Sequence, residues 1–220
     1  MIGTSGREEF TMKSKNVILS AALLIALGGA VALTGQEAQA AKKKVKAVVK
    51  GSTLTVSGKG AMPSNLKIKK SKIKKVRKIV IKKGVTSIPV DAFRKYKNVT
   101  SVTVPSSVKT IGQSAFRCEK LKKLTLPGKF EIKYLKGSRK RYWITDTIDT
   151  VAFNTNLDLK MTAFFDTNNL VVKKTDPKYK SVKGIIYSKD GKEIVRVPYQ
   201  RSEAVIADGS EVFCLQSVMY

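Results

Sequence analysis

Between Lys75 and Pro127 the apolar residues recur in short alternating runs, with no helical stripe. Ile79-Val80-Ile81, Val102-Thr103-Val104 and Leu124-Thr125-Leu126 each carry apolar residues at both ends, the period-two signature of a strand. Between them, Val85-Thr86-Ser87-Ile88 is matched by Val108-Lys109-Thr110-Ile111, and Asp91-Ala92-Phe93 by Ser114-Ala115-Phe116. Val85 to Val108, Ile88 to Ile111 and Phe93 to Phe116 are each 23 residues apart, while Val102 to Leu124 and Pro105 to Pro127 are 22 apart. A repeat of that length predicts one coil of a solenoid.

The letters of one coil predict its path. In Ser101-Val102-Thr103-Val104-Pro105 the valines face inward and Ser101 and Thr103 outward, and Pro105 ends the strand because it has no amide hydrogen for a neighbouring coil. Val108 and Ile111 return to the core, Ala115-Phe116 sets a small residue beside a ring that fills the coil, and Leu121 closes the circuit before Leu124. One coil cannot bury these residues alone, so stacking of neighbours supplies the stability.

Elements outside the clear repeat follow the same reasoning. Val45 to Val49 and Leu54 to Val56 predict a strand pair that caps the N-terminal end. Beyond Asn169, two alternating runs flank Asp190-Gly191, a strong two-residue turn pair, so Ser181 to Pro198 predicts a β-hairpin. Ala204 to Phe213 reads as a further coil entering its Phe position, and the apolar end Phe213 to Tyr220 carries no cap.

The run Ala92-Phe93, Val99, Val102, Val104-Pro105, Val108, Ile111, Ala115-Phe116, Cys118, Leu121, Leu124, Leu126-Pro127 resembles the BspA-like leucine-rich repeats of bacterial surface and secreted proteins. The resemblance is close over 76–128 and weakens through 129–165, where Phe130 to Asp146 looks inserted and only Val151-Ala152-Phe153 and Thr162-Ala163-Phe164 hint at degenerate coils. It implies a mainly β leucine-rich repeat solenoid with short strands, irregular or short helical returns and an inserted β-hairpin. The resulting organisation is 41–65 as N-terminal β cap, 66–128 as repeat coils, 129–168 as irregular insertion with degenerate coils, and 169–220 as hairpin and final incomplete coil. The resemblance also implies adhesion to host or matrix components.

Residues 1–40 read as address. Lys13 and Lys15 precede an apolar run from Val17 to Leu33, and Ala38-Gln39-Ala40 supplies the small-x-small box, so cleavage is expected after Ala40. An uncleaved membrane anchor is the competing reading of the same run. Glu8 and Glu9 do not fit a secretory leader, and Arg7-Glu8-Glu9 matches a translated ribosome-binding sequence, which places the true start at Met12. After cleavage no stable membrane span is expected.

Charge then changes the picture. The chain has 43 Lys and Arg against 16 Asp and Glu, a formal charge of +27, and from Ala41 to Val90 sixteen Lys or Arg stand without one acid. Such a field concentrates anionic partners and makes association salt-sensitive. In Leu66 to Lys78 the apolar Leu66, Ile68, Ile73 and Val76 belong to the first coil, leaving Lys67, Lys69, Lys70, Lys72, Lys74, Lys75, Arg77 and Lys78 on an outer face. These eight are the candidate polyanion-binding residues. The run lacks interleaved aromatics and is Lys-dominated, so sequence-specific nucleic-acid reading is not expected.

Composition excludes much chemistry. There is no His, hence no Ser-His-Asp or Cys-His system and no His-ligated metal. Gly51 and Gly58-Lys59 have the wrong spacing for a phosphate loop, and Gly112-Gln113-Ser114-Ala115 lacks the second glycine of a nucleophile elbow. Asp146, Asp149 and Asp158 read as solvated loop acids rather than a glycosidase pair, although a hydrolase within 129–165 stays open as a minor alternative. Cys118 sits at a core position of the coil, and a disulfide to Cys214 is disfavoured because the two stand several coils apart. No catalytic residue, metal or cofactor is expected.

The function expected is therefore an exported, non-catalytic binding or adhesion module. It is secreted or noncovalently held at the cell surface and contacts anionic wall polymers, glycans or host and matrix proteins. The alternative is a truncated or accessory subunit whose open C-terminal coil stacks on a partner protein.

Overall fold

The computed structural model describes residues 44–137 and 148–201. The leader, Trp143 and Asp146, Cys214, the coil expected at 204–213 and the apolar end at Tyr220 lie outside the described residues.

In chain order the elements are β1 (Lys46–Lys50), β2 (Thr53–Ser57), β3 (Gly60–Ala61), helix α1 (Lys70–Lys75), β4 (Lys78–Ile81), β5 (Val85–Ile88), β6 (Ser101–Thr103) and β7 (Thr110–Gly112). There follow β8 (Lys123–Leu126), β9 (Glu131–Lys133), β10 (Ile148–Phe153), a 3-10 helix (Leu159–Phe164), β11 (Thr167–Val171), β12 (Tyr179–Val182), β13 (Ile185–Ser188) and β14 (Ile194–Arg196). A seven-stranded sheet runs β1-β2-β4-β6-β8-β10-β11, antiparallel only at β1-β2, and a four-stranded parallel sheet runs β3-β5-β7-β9. Each coil lays one strand on the first sheet, and the first four lay a second on the other. This is a leucine-rich repeat solenoid rich in β-structure.

The register shows what the 23- and 22-residue spacing is for. Leu54, Ile79, Val102, Leu124, Val151 and Leu170 stand in one column, each at most 1% exposed. Val56 opposite Ile81 and Leu126 opposite Phe153 form a second column, with buried Val104 between them. Full burial of such a side chain contributes about 1.5–3 kcal/mol, and here each is covered by the coil above and the coil below. On the return side the Phe93 and Phe116 rings stack with centroids 5.8 Å apart, and Tyr96 meets Phe93 edge-on at 5.9 Å. Gly112 is required by proximity, since a Cβ there would run into the backbone of Pro89 and Val90.

Val151-Ala152-Phe153, which hinted at a degenerate coil, pairs in register with Leu124-Thr125-Leu126 as the sheet strand of its coil. The 3-10 helix, capped by Asp158, takes the return path there and buries Met161 and Thr162 while Ala163 is exposed. β11 pairs in parallel with β10, so the solenoid sheet runs through Val171. One detail differs from the sequence reading: the two-residue turn is Lys183-Gly184, where both residues have positive φ (48° and 82°) between Val182 and its partner Ile185. The Asp190-Gly191 turn is wider: Ser188 N–H donates to the Glu193 carbonyl at 2.9 Å, leaving four residues in the loop.

The hairpin region closes on the last described coil. Leu170 N–H donates to the Gly184 carbonyl at 2.9 Å, Val172 N–H to Ser181 Oγ at 3.3 Å, and Ile186 joins the solenoid core. Buried Asp176 ties this connection down by accepting Leu157 N–H at 2.8 Å, Lys178 N–H at 2.9 Å and Tyr179 N–H at 3.0 Å.

Candidate binding surface

The return arc of the first coil, 62–76, differs from those after it because it has no aromatic to bury. Leu66, Ile68 and Ile73 pack partly against the core and Val76 is fully buried, which anchors α1 by its apolar residues. Helix α1 has six residues, no side-chain cap at Lys69 and no acid in its first turn. Lys70 stands at the positive end of its dipole, whereas Lys72, Lys74 and Lys75 fall in the last turn, where cations are favoured, and a helix this short needs tertiary packing to persist.

The predicted residues all lie on this arc or at its exit, and all are exposed. Lys67 has φ 51° and its N–H donates to Asn65 Oδ1 at 3.0 Å; Lys69 precedes α1; Lys70, Lys72, Lys74 and Lys75 are in it. Arg77 follows, its Nη1 donating to the Lys74 carbonyl at 3.4 Å, and Lys78 opens β4. Among the described residues the ion pairs are Lys97 Nζ to Glu119 Oε1 at 2.7 Å and Arg94 Nη1 to Asp91 Oδ2 at 3.9 Å, neither of them within 67–78.

Stacking adds cations that sequence reasoning passed over. Thr100 and Ser101 N–H both donate to the Arg77 carbonyl, and Lys122 and Lys123 N–H both donate to the Thr100 carbonyl. Asn98 Nδ2 donates to the Lys74 carbonyl at 3.0 Å, and Lys97 reaches Glu119 on the next coil. The arcs 91–99 and 113–121 therefore lie in succession beside α1, bringing exposed Arg94, Lys95, Lys97, Arg117, Lys120, Lys122 and Lys123 alongside the predicted set. The repeat itself held this information: 23 residues on from Lys72 and Lys74 are Lys95 and Lys97, and 22 further are Arg117 and Glu119.

The outward face of the seven-stranded sheet is of another character. Thr53, Lys78, Ser101, Lys123, Thr150 and Asn169 form one outward row, and Thr55, Val80, Thr103, Thr125, Ala152 and Val171 the next. Small hydroxyl-bearing and apolar residues dominate there, with Lys78 and Lys123 as its cations.

Groups weighed for chemistry have local work. Asp149 accepts from Thr150 Oγ1 at 2.8 Å, and Asp158 Oδ1 accepts Lys160 N–H at 3.2 Å. Buried Cys118 donates its Sγ–H to the Phe93 carbonyl at 3.3 Å. Burial pushes the Tyr96 phenol pKa upward, while the Ser188 hydroxyl and Lys192 N–H hold the Asp190 carboxyl below its ordinary value. Among the described residues no group of three His, Cys, Asp or Glu side chains is placed to hold a metal ion. An open dent of about 190 Å³ beside β9 is lined by Lys109, Lys129, Phe130 and Glu131.

Residues 68–171 match the BspA-type leucine-rich repeat region, in six copies. The segment belongs to the BspA-type leucine-rich repeat family. Its solved likenesses include a leucine-rich repeat protein from Eubacterium ventriosum, at 22% identity and a TM-score of 0.34, with 70% of this chain and 48% of that one covered. Pneumococcal vaccine antigen PcpA is similar at 15% identity and a TM-score of 0.29, with 77% and 58% covered. A leucine-rich cell surface protein of Faecalibacterium prausnitzii follows at 15% identity and 0.22, with 71% and 62% covered. The chain thus spans about half to three fifths of the length of these three proteins. No curated protein sequence matches it. Among the described residues no helix is long and apolar enough to cross a membrane.

Proposed function

We propose that the chain is an exported, non-catalytic binding or adhesion module, secreted or noncovalently held at a bacterial cell surface. It holds anionic partners, whether wall polymers, glycans or acidic host and matrix proteins, on the lysine-bearing arc around α1. The observation that carries this is Lys67 to Lys78: eight exposed cations with no acid in the segment and no carboxylate paired to them among the described residues. Charges crowded in this way repel one another, and a polyanion relieves the repulsion while releasing its counterions. Export is supported by the leader pattern ending at Ala40, and a non-catalytic role by the repeat family, whose coils form a stacked scaffold.

The test is affinity for a set of anionic polymers at about 50 and 200 mM salt, where six or more phosphate contacts predict a loss of about a thousandfold or greater. Neutralising Lys67, Lys69, Lys70, Lys72, Lys74 and Lys75 together is expected to abolish binding, and any one alone to weaken it only slightly. Binding that is unchanged at the higher salt overturns the proposal.

A further inference from the structure

Resting on that reading, and going beyond the lysine run that suggested it, we infer that the binding surface is a ridge spanning three coils that takes a linear polyphosphodiester chain. Its rows are α1 with Arg77 and Lys78, then Arg94, Lys95 and Lys97, then Arg117, Lys120, Lys122 and Lys123. The Arg77, Thr100 and Lys122 backbone ladder and the Asn98 bond to Lys74 fix their order. Successive rows are about 5 Å apart, the spacing of neighbouring strands. Three rows thus extend about 10 Å along the axis, and α1 extends about 9 Å across it, before the reach of the lysine side chains is added.

Charge along the ridge is concentrated in its first row. The first row has eight cations and no acid, the second three cations with Asp91, and the third four with Glu119. Glu119 is set against Lys97 at 2.7 Å, so the middle of the ridge is partly neutralised from the neighbouring coil. A single compact anion gains nothing from the second and third rows. A chain of regularly spaced charges does.

Two features of the ridge bear on the choice among linear polyanions. It is dominated by Lys, a compact point charge that meets anionic oxygens from many directions and so suits a flexible chain better than one fixed planar group, with Arg77, Arg94 and Arg117 as its only forks. The ridge also lacks a stacking platform: Phe93, Tyr96 and Phe116 are buried beneath it, and the strongly exposed aromatic among the described residues, Tyr199, follows β14. Sugar rings and bases bind through such platforms, and a flexible polyol phosphate chain does not need one.

The experiment is titration of the full chain with synthetic glycerol phosphate oligomers of about one, four and twelve phosphates, and with a sulfated glycan of equal charge, at about 50 and 200 mM salt. Three proteins are compared: the parent, Lys95→Gln/Lys120→Gln/Lys122→Gln/Lys123→Gln, and Glu119→Gln. The expected result is negligible binding of the monomer, tight binding from about four phosphates upward and weaker binding of the glycan. The quadruple variant is expected to keep the parent's far-ultraviolet spectrum and lose tenfold or more in affinity, with a salt slope shallower by about 2–3. Glu119→Gln, which removes the acid from the ridge, is expected to bind more tightly than the parent. A quadruple variant that binds like the parent, or a glycan that binds more tightly than the phosphate chain, overturns the three-coil phosphodiester ridge and leaves the α1 site standing. Absence of binding to any of these polymers by the parent at low salt overturns both.

Discussion

The first return arc and the two that follow occupy the same place in successive coils and are filled in opposite ways. Arcs 91–99 and 113–121 bury Phe93, Tyr96 and Val99, and Phe116, Cys118 and Leu121. The arc through α1 buries Met62 and Val76, leaves Leu66, Ile68 and Ile73 half-covered, and carries most of the cations. Charge is concentrated where no aromatic has to be held, so it can be removed at α1 with little consequence for the stack. A cation-bearing arc is thus set apart from aromatic-filled arcs within one repeat architecture.

The largest effect should come from breaking the structural side. Phe116→Ala removes a fully buried ring that stacks on Phe93 and leaves its cavity between two coils, so a loss of about 3–5 kcal/mol is expected in urea unfolding. Because a coil is stable only against its neighbours, amide exchange should rise in β6 and β8 together. A loss below 1 kcal/mol would mean that the aromatic stack is not what holds these arcs.

Next in size is Gly112→Ala, whose methyl meets the Val90 nitrogen and the Pro89 carbonyl carbon of the preceding coil. Backbone cannot yield as a side-chain tip does, so the two coils must separate locally, at about 1–3 kcal/mol. The same urea titration measures it, and a neutral result would show that the coils slide past each other more freely than their register implies.

On the cation-bearing side the prediction is reversed. Replacing the six lysines from Lys67 to Lys75 by Gln should leave stability within about 0.5 kcal/mol of the parent, or raise it slightly, as like-charge neighbours such as Lys70 and Lys74 stop repelling. Polyanion affinity should be lost in the same protein. Thermal melts beside binding titrations decide it: a variant that unfolds readily would show that α1 is part of the structure's support, and the contrast between arcs would fail.

How much of this was legible in the sequence depends on periodicity. The coil strands, Ala115-Phe116 and the core role of Cys118 could be read because a repeat shows itself twice, and stacking turns recurrence into contact. Val151-Ala152-Phe153 gave only a hint of a degenerate coil because 27 residues separate Leu124 from Val151, outside the 22- and 23-residue spacing, whereas register with Leu124 and Leu126 makes it that coil's strand. Lys183-Gly184 was passed over for Asp190-Gly191 because residue preference alone does not say which pair must take positive φ at both positions. Arg94, Lys95 and Arg117 were passed over because they lie apart from the lysine run along the chain, and only the stacking of arcs brings them beside α1.

The smallest predicted effect belongs to Tyr96, the polar tip of a structural arc. Its phenol is held neutral by burial, with a pKa above the ordinary value of 10.0. A raised folded-state pKa means that the stabilising contribution is complete below about pH 10 and is lost as the pH climbs from there through the folded value, because the unfolded chain ionises first. Urea midpoints should therefore be flat from about pH 8 to 9.5 and fall above that, and Tyr96→Phe should remove part of the fall while keeping the ring against Phe93. If the alkaline limb is the same in both proteins, the hydroxyl is solvated in the folded state. The second arc would then be open to water at Tyr96, and the division between a sealed arc and an exposed one would begin one coil later, at Phe116.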